Sequence, residues 1–298
     1  MKQIIINADD LGADVCRNKG IAEAVDAGVV TSVSILVNGP AFDDALARLP
    51  AWQGRGVSIG LHVNFSEGYP VCKGLSALPD EHGRFRGKSS AHNLLIQEGN
   101  NELEREVSLE LEAQIGLLEA QAIRISHLDG HQHVHVFPAV IAAAVRAARR
   151  HGITWLRISE EPAPSVFPLG EEESSGKPNH DPMEVLRREA ARFSRQSAAA
   201  RPFLNGSGIR TTDHFRGLYA KGRLTLACLE ELLSMLPSGL TELMVHPGRS
   251  PAVPGQGPFA AFSTSDREGE LAVLLNPRLL KILEEKRIFL APYPETRL

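Results

Sequence analysis

The sequence predicts an α/β protein built on a parallel sheet or a closed barrel. Short β-branched apolar runs alternate with longer helical stretches, and several of those runs end on acids or histidines. Alternation of this kind favours parallel pairing, because each crossover between parallel strands needs a dozen or more residues and a helix supplies them. With 298 residues, 43% hydrophobic and 23% charged, the chain can bury a sizeable core as one large domain spanning 1–298.

The first strand is expected at 3–8 (Gln-Ile-Ile-Ile-Asn-Ala), with Asp-Asp-Leu-Gly as its exit loop. A helix follows at 18–28, ending on Gly28. Further strands are expected at 31–37, 56–62, 123–129, 153–158, 240–246 and 287–291, with helices in the gaps. The clearest helices are 101–121, rich in Glu, Leu and Ala, the alanine-rich 137–151, and 224–236. Two segments break the rhythm. Residues 64–100 hold Gly68, Pro70, Gly74, Pro79 and Gly83 without steady periodicity, and 160–182 are polar and proline-rich. Both read as long insertion loops of the kind that serve as lids.

Bulk properties exclude several functions. A net charge of -4 and the lack of any long basic block argue against nucleic acid as a partner. Cys16, Cys72 and Cys228 are scattered without metal-knuckle spacing, which fits a reducing compartment. Asp9 and Asp10 interrupt the start where a signal peptide would carry its apolar core, and no apolar run approaches the roughly 20 residues of a membrane span. The expectation is a cytoplasmic protein; a homodimer is compatible with the sequence.

The chemistry concentrates at predicted strand ends. Four of the eleven histidines, His127, His131, His133 and His135, share one nine-residue run with Asp129. Neutral imidazole is the commonest ligand for borderline divalent metals, and a carboxylate such as Asp129 can brace the second ring nitrogen. The run turns at Gly130, where a loop leaves a strand, and parallel α/β folds bind ligands at that carboxyl end. Asp9 and Asp10 leave the first strand pointing in different directions, so one can hold a cation while the other faces substrate or water. His62 closes the apolar run Ser-Ile-Gly-Leu. Together these places offer one carboxylate and two imidazoles with open positions, which a catalytic metal requires.

Asn7-Ala8-Asp9-Asp10-Leu11-Gly12, Gly60-Leu61-His62 and the 127–135 run resemble the YdjC-like carbohydrate deacetylases. That family includes chitooligosaccharide deacetylase and the hopanoid-associated deacetylases and is akin to the NodB-type polysaccharide deacetylases. Thr-Asp-His-Phe-Arg-Gly at 212–217 and Met-Val-His-Pro-Gly at 244–248 extend the resemblance over nearly the whole chain, although Leu11 stands where many relatives carry phenylalanine. The resemblance implies a distorted (β/α) barrel and hydrolysis of an N-acetyl group on a small carbohydrate. It also implies one divalent metal, often magnesium in the family, held by Asp10, His62 and His131, with Asp9 as general base. His127, Asp129, His133 and His135 would support the ligands or face substrate.

Similar barrels place a histidine where His246 stands, which makes it the candidate acid; the alternative is a turn histidine fixed by Pro247-Gly248. Arg157 would orient Asp9 or bind a hydroxyl, or else form a surface ion pair. Asp213 would brace a catalytic group, or cap a turn. The imidazole-rich donor set also suits zinc, manganese, cobalt or iron. Competing readings are a phosphoesterase or amidohydrolase on a similar barrel, and a non-catalytic carbohydrate-binding relative.

Overall fold

The computed structural model describes residues 1–163, 182–252, 257–260 and 265–295. Among the described residues, eight parallel strands form one sheet: β1 (Lys2–Leu11), β2 (Ser32–Ile35), β3 (Ser58–Val63), β4 (His127–Gly130), β5 (Trp155–Leu156), β6 (His214–Arg216), β7 (Gly239–Val245) and β8 (Ile288–Leu290). The order is β5-β4-β3-β2-β1-β7-β6. β7 pairs with β1 over Lys2–Ala8, while the other flank of β1 is shared by β8 at Lys2–Ile4 and β2 from Asn7 onward. The sheet curls into an incomplete barrel: the segment leading to β6 reaches β5 through the Trp155–Arg210 bridge. The distorted (β/α) barrel expected from the resemblance is therefore the fold.

β1 is apolar from Ile4 to Ile6 because both its faces are covered, as parallel strands require. Helix α1 (Val15–Asp26) starts on Asp14, whose carboxylate accepts from the Arg17 amide. After the short helices α2 (Phe42–Leu46) and α3 (Leu49–Gly54) comes α4 (Lys88–Leu95). Helix α5 (Asn101–Glu119) buries Leu103, Val107, Leu111, Ile115 and Leu118, a stripe at helical spacing that packs onto the sheet. Helix α6 (Pro138–Arg150) begins on proline, whose fixed φ suits a first turn. Helices α7 (Pro182–Ala200), α8 (Leu226–Ser234), α9 (Ser265–Leu274) and α10 (Pro277–Glu285) complete the outer layer.

Three expectations need correction. Residues 64–100 are not all loop, because α4 occupies 88–95 and packs Ala91, His92 and Leu95 inward. The first helix begins three residues earlier than its periodicity suggests, because the Asp14 cap and not the apolar pattern sets its start. β6 lies inside the 212–217 segment, and its three residues are too few to show a period. Of the second insertion, residues 164–181 lie outside the described residues.

Candidate active site

Asp9 and Asp10 sit at the carboxyl end of β1, both buried. Asn7 and Asp9, two apart on a strand, share a face, and Asn7 Nδ2 donates to Asp9 Oδ1 at 2.7 Å. Asp10 turns away with a φ of 67° beside a break in the β1–β2 register. A non-glycine residue holds that left-handed conformation only where its surroundings over-determine it. Asp10 Oδ1 lies 2.8 Å from His131 Nδ1 and 3.3 Å from His62 Nε2. Its Oδ2 faces Arg17 Nη1 at 3.3 Å and Arg267 Nη2 at 3.9 Å. Burial pushes the Asp10 carboxyl up, but His131, His62 and Arg17 outweigh it and hold it well below the usual carboxylate range.

His62 pairs in register with Asp129 across β3 and β4. Asp129 Oδ1 is 2.9 Å from His62 Nδ1, so a carboxylate fixes one ring nitrogen while the other faces Asp10. A carboxylate so placed can orient an imidazole for metal ligation. Burial pulls the His62 ring down, yet Asp129, Asp9 and Asp10 push it up to about 10. Asp129 is itself held by the Ser34 hydroxyl at 2.7 Å and Arg157 Nη2 at 2.9 Å.

Past Gly130 the chain makes a 3₁₀ turn in which Gln132 and His133 adopt φ of 53° and 60°. That turn scatters the histidines in different directions. His131 faces Asp10; His133 Nδ1 lies 3.0 Å from the Ser159 hydroxyl and packs on Phe193; His135 Nε2 donates to the Arg157 carbonyl at 3.0 Å. His127 stacks on Tyr293 with ring centroids 4.0 Å apart, and a methyl at Gly60 would come within 2.2 Å of its Nε2. Burial pushes His127 and His135 down to about 3, and both are neutral.

Arg157 is buried, so the surface ion pair is excluded. Its Nη1 and Nη2 each donate to one Asp9 oxygen at 2.7 Å, a bidentate fork that fixes the carboxylate's plane. His246 follows β7, the neighbour of β1, and its backbone N–H donates to Glu270 Oε2 at 2.6 Å. Burial, with Arg267, Lys221 and Arg17, holds the His246 ring well below its ordinary value against the pull of Asp10. Asp213 is not brought to this cluster. It lies at the amino end of the sheet, where its carboxylate accepts from the Leu240 N–H at 2.8 Å and ties β6 to β7. Behind the site, α1 meets the loop after β7 at Gly20, where an added Cβ would stand 2.5 Å from Gly248 Cα.

Asp10, His62 and His131 each offer one ligand atom, all within 4.8 Å of one another. One carboxylate and two imidazoles, one of them carboxylate-braced, fit a borderline divalent cation. Asp9, His62 and Asp129 are equally close, but Arg157 already occupies both of those carboxylates. The residues that sequence reasoning missed are Ser34, Arg17, Arg267 and Glu242. Only Glu242 carries a readable signal, a lone acid inside the apolar run Leu-Met-Val and its neighbours.

An α/β half-barrel with a buried acid–imidazole cluster at the carboxyl ends of its strands defines the class of protein. The chain belongs to the YdjC-like family, whose sequence model, described as YdjC-like protein, matches residues 3–285. A mouse carbohydrate deacetylase is 36% identical over 93% of this chain and 89% of its own length. The human carbohydrate deacetylase is also 36% identical, over 93% and 85%. A crystal structure from Enterococcus faecalis V583, of a protein provisionally assigned to cellobiose-phosphate cleavage, shares the fold with a TM-score of 0.72 at 23% identity, covering 98% of this chain and 97% of that one.

Proposed function

We propose that this chain is a carbohydrate deacetylase that hydrolyses the N-acetyl group of an amino sugar or small N-acetylated glycoside, with one divalent cation held by Asp10, His62 and His131. The observation that carries the reading is the convergence of those three side chains, with Asp129 bracing His62. The mouse and human relatives carry the same named activity. A cation there supplies Lewis-acid polarisation of a carbonyl and acidifies a water molecule. Family resemblance points to magnesium; the two imidazoles also suit zinc or another transition metal.

Asp9 takes the proton of the water that attacks the acetyl carbon, in the orientation set by Arg157 and Asn7. As the carbon–nitrogen bond breaks, the departing amine takes up, by way of His246, the proton that Asp9 removed from water. The environment that depresses the ring's basicity leaves it neutral at rest and makes it pass that proton on readily. The 64–100 segment, loop apart from α4, is an insertion of a single domain in this reading, and most of the 160–182 insertion lies outside the described residues. The site belongs to a cytoplasmic protein; among the described residues no helix is long and apolar enough to cross a membrane.

Acetate release across N-acetylated mono- and oligosaccharides, with metal stripped and restored, tests the reading. Turnover is expected to vanish on chelation and in His131→Ala. Full turnover in either case would remove the metal from the account.

A further inference from the structure

The guanidinium of Arg157 is surrounded by three acids. Along its end, Nη1 and Nη2 reach Asp9; along its side, Nε and Nη2 reach Glu242 Oε1 at 2.8 and 2.6 Å; and Nη2 also lies 2.9 Å from Asp129 Oδ2. We infer that Glu242 is a positioning residue for deacetylation, anchoring the side of the Arg157 guanidinium so that its end is presented to Asp9. The inference rests on the deacetylase reading above.

The geometry supports it in two ways. A guanidinium is a rigid plane, so fixing two of its edges fixes the third direction completely. Asp9 and Asp129 hold only the Nη1–Nη2 end of the plane; Glu242, on β7 beside β1, is the acid that holds its Nε side. Phe215, 5.5 Å from the guanidinium carbon, covers one face. The second argument is a count. Nη2 carries two hydrogens and faces three carboxyl oxygens, so they cannot all be full charge-assisted acceptors.

Glu242 is fully buried, and burial pushes its carboxyl up, with Arg157 and the Tyr293 hydroxyl opposing. It meets Arg157 through one oxygen, Oε1, which takes both the Nε and Nη2 contacts. Glutamine has the same shape and the same acceptor, which makes it the informative substitution.

The test compares Glu242→Leu with Glu242→Gln by steady-state acetate release and by crystal structures of both variants. Loss of the anchor in Glu242→Leu should lower kcat about 10- to 100-fold, the scale of a displaced catalytic group. KM should stay within about threefold, and Arg157 should leave its bidentate seat on Asp9. Glu242→Gln should recover most of kcat and keep the Arg157–Asp9 fork. Should the leucine variant not fold, Glu242→Asp, which withdraws the acceptor by one methylene, takes its place with the same readouts.

The inference is overturned if the leucine or aspartate variant keeps both kcat and the fork, if kcat falls while the fork stays intact, or if glutamine loses as much as leucine. If the wild type releases no acetate from any N-acetylated sugar, the deacetylase reading fails by itself. The two crystal structures then still decide whether Glu242 sets the Arg157–Asp9 contact.

Discussion

Two groups of buried carboxylates, one at the strand ends and one on α5, are satisfied in different ways. Around the site, Asp9, Asp10 and Asp129 meet guanidinium and imidazole side chains. On α5, Glu106 and Glu110 are also buried, one turn apart, but they meet mainly backbone N–H groups, joined by the Ser76 hydroxyl and the Gln114 side-chain amide. Glu106 accepts from the N–H groups of Ser76, Ala77 and Leu78 at 2.7–3.0 Å, and Glu110 from those of Val71 and Cys72 at 2.9 and 2.7 Å. The α5 pair fastens the 71–78 segment to its helix, whereas the site carboxylates are shared with buried imidazoles and Arg157. Burial of an acid does not by itself mark chemistry.

The sharpest test of that contrast is Asp9→Asn, which keeps the shape and removes the base. We expect kcat to fall about 10²- to 10⁴-fold, while the melting temperature stays within a few degrees. A variant that melts early but turns over normally would place Asp9 with the fasteners. Glu106→Ala should show the reverse pattern. Three N–H groups lose a charged acceptor, and urea unfolding should report a loss of about 3 kcal/mol. Calorimetric titration of the same variant with zinc should find wild-type affinity at Asp10, His62 and His131. Weakened zinc binding would show that the loop clamp and the site are one unit.

Glu161 offers an intermediate case, since it accepts from the Leu218 N–H at 2.7 Å and yet burial pushes it up to about 7, with Arg216 and the Gly217 and Tyr219 N–H groups opposing. Tyr219 and Cys228 face the same carboxyl. A raised acid binds its proton more tightly when folded, so its stabilisation is complete below the ordinary value near 4.5 and is lost as pH rises through 7. The loss should amount to about 2–3 kcal/mol between those limits, and its absence in Glu161→Gln, followed by thermal melts against pH, checks the assignment. A melt profile unchanged by the substitution would contradict it. At the other extreme stands the exposed pair of Arg278 and Glu285, 2.8 Å apart. Arg278→Ala should cost less than about 1 kcal/mol in urea, and a larger value would mean that partner chemistry is a poor guide to what an ion pair contributes.

Much of this was legible in the chain itself. Strand-end polar residues mark a parallel fold's working face, and Asp9, Asp10, His62 and His131 all stand on it. The residues alone made the histidine run readable only as a cluster, and the resemblance singled out His131, because the left-handed backbone at Gln132 and His133 that sends successive rings to different neighbours leaves no pattern in the sequence. Asp213, read either as a brace for a catalytic group or as a turn cap, lies at the amino end of β6, and a three-residue strand gives no period from which to tell the ends apart. Glu106 and Glu110 read as ordinary helix-face glutamates, since the loop they fasten lies some thirty to forty positions earlier. Partners that distant leave no local pattern.

The meeting of Gly20 with Gly248 has a consequence of its own. Two bare backbones lie against each other there, so the spacing between α1 and the His246 loop is a gauge set by missing atoms. A side chain added at Gly20 would be transmitted to His246 as a shift of the whole loop, whereas one added at Gly248 would press on Arg267 and Arg17 instead. A position more than two hundred residues away in the chain thus sets where His246 stands, and filling it would displace that ring before it disturbed the core.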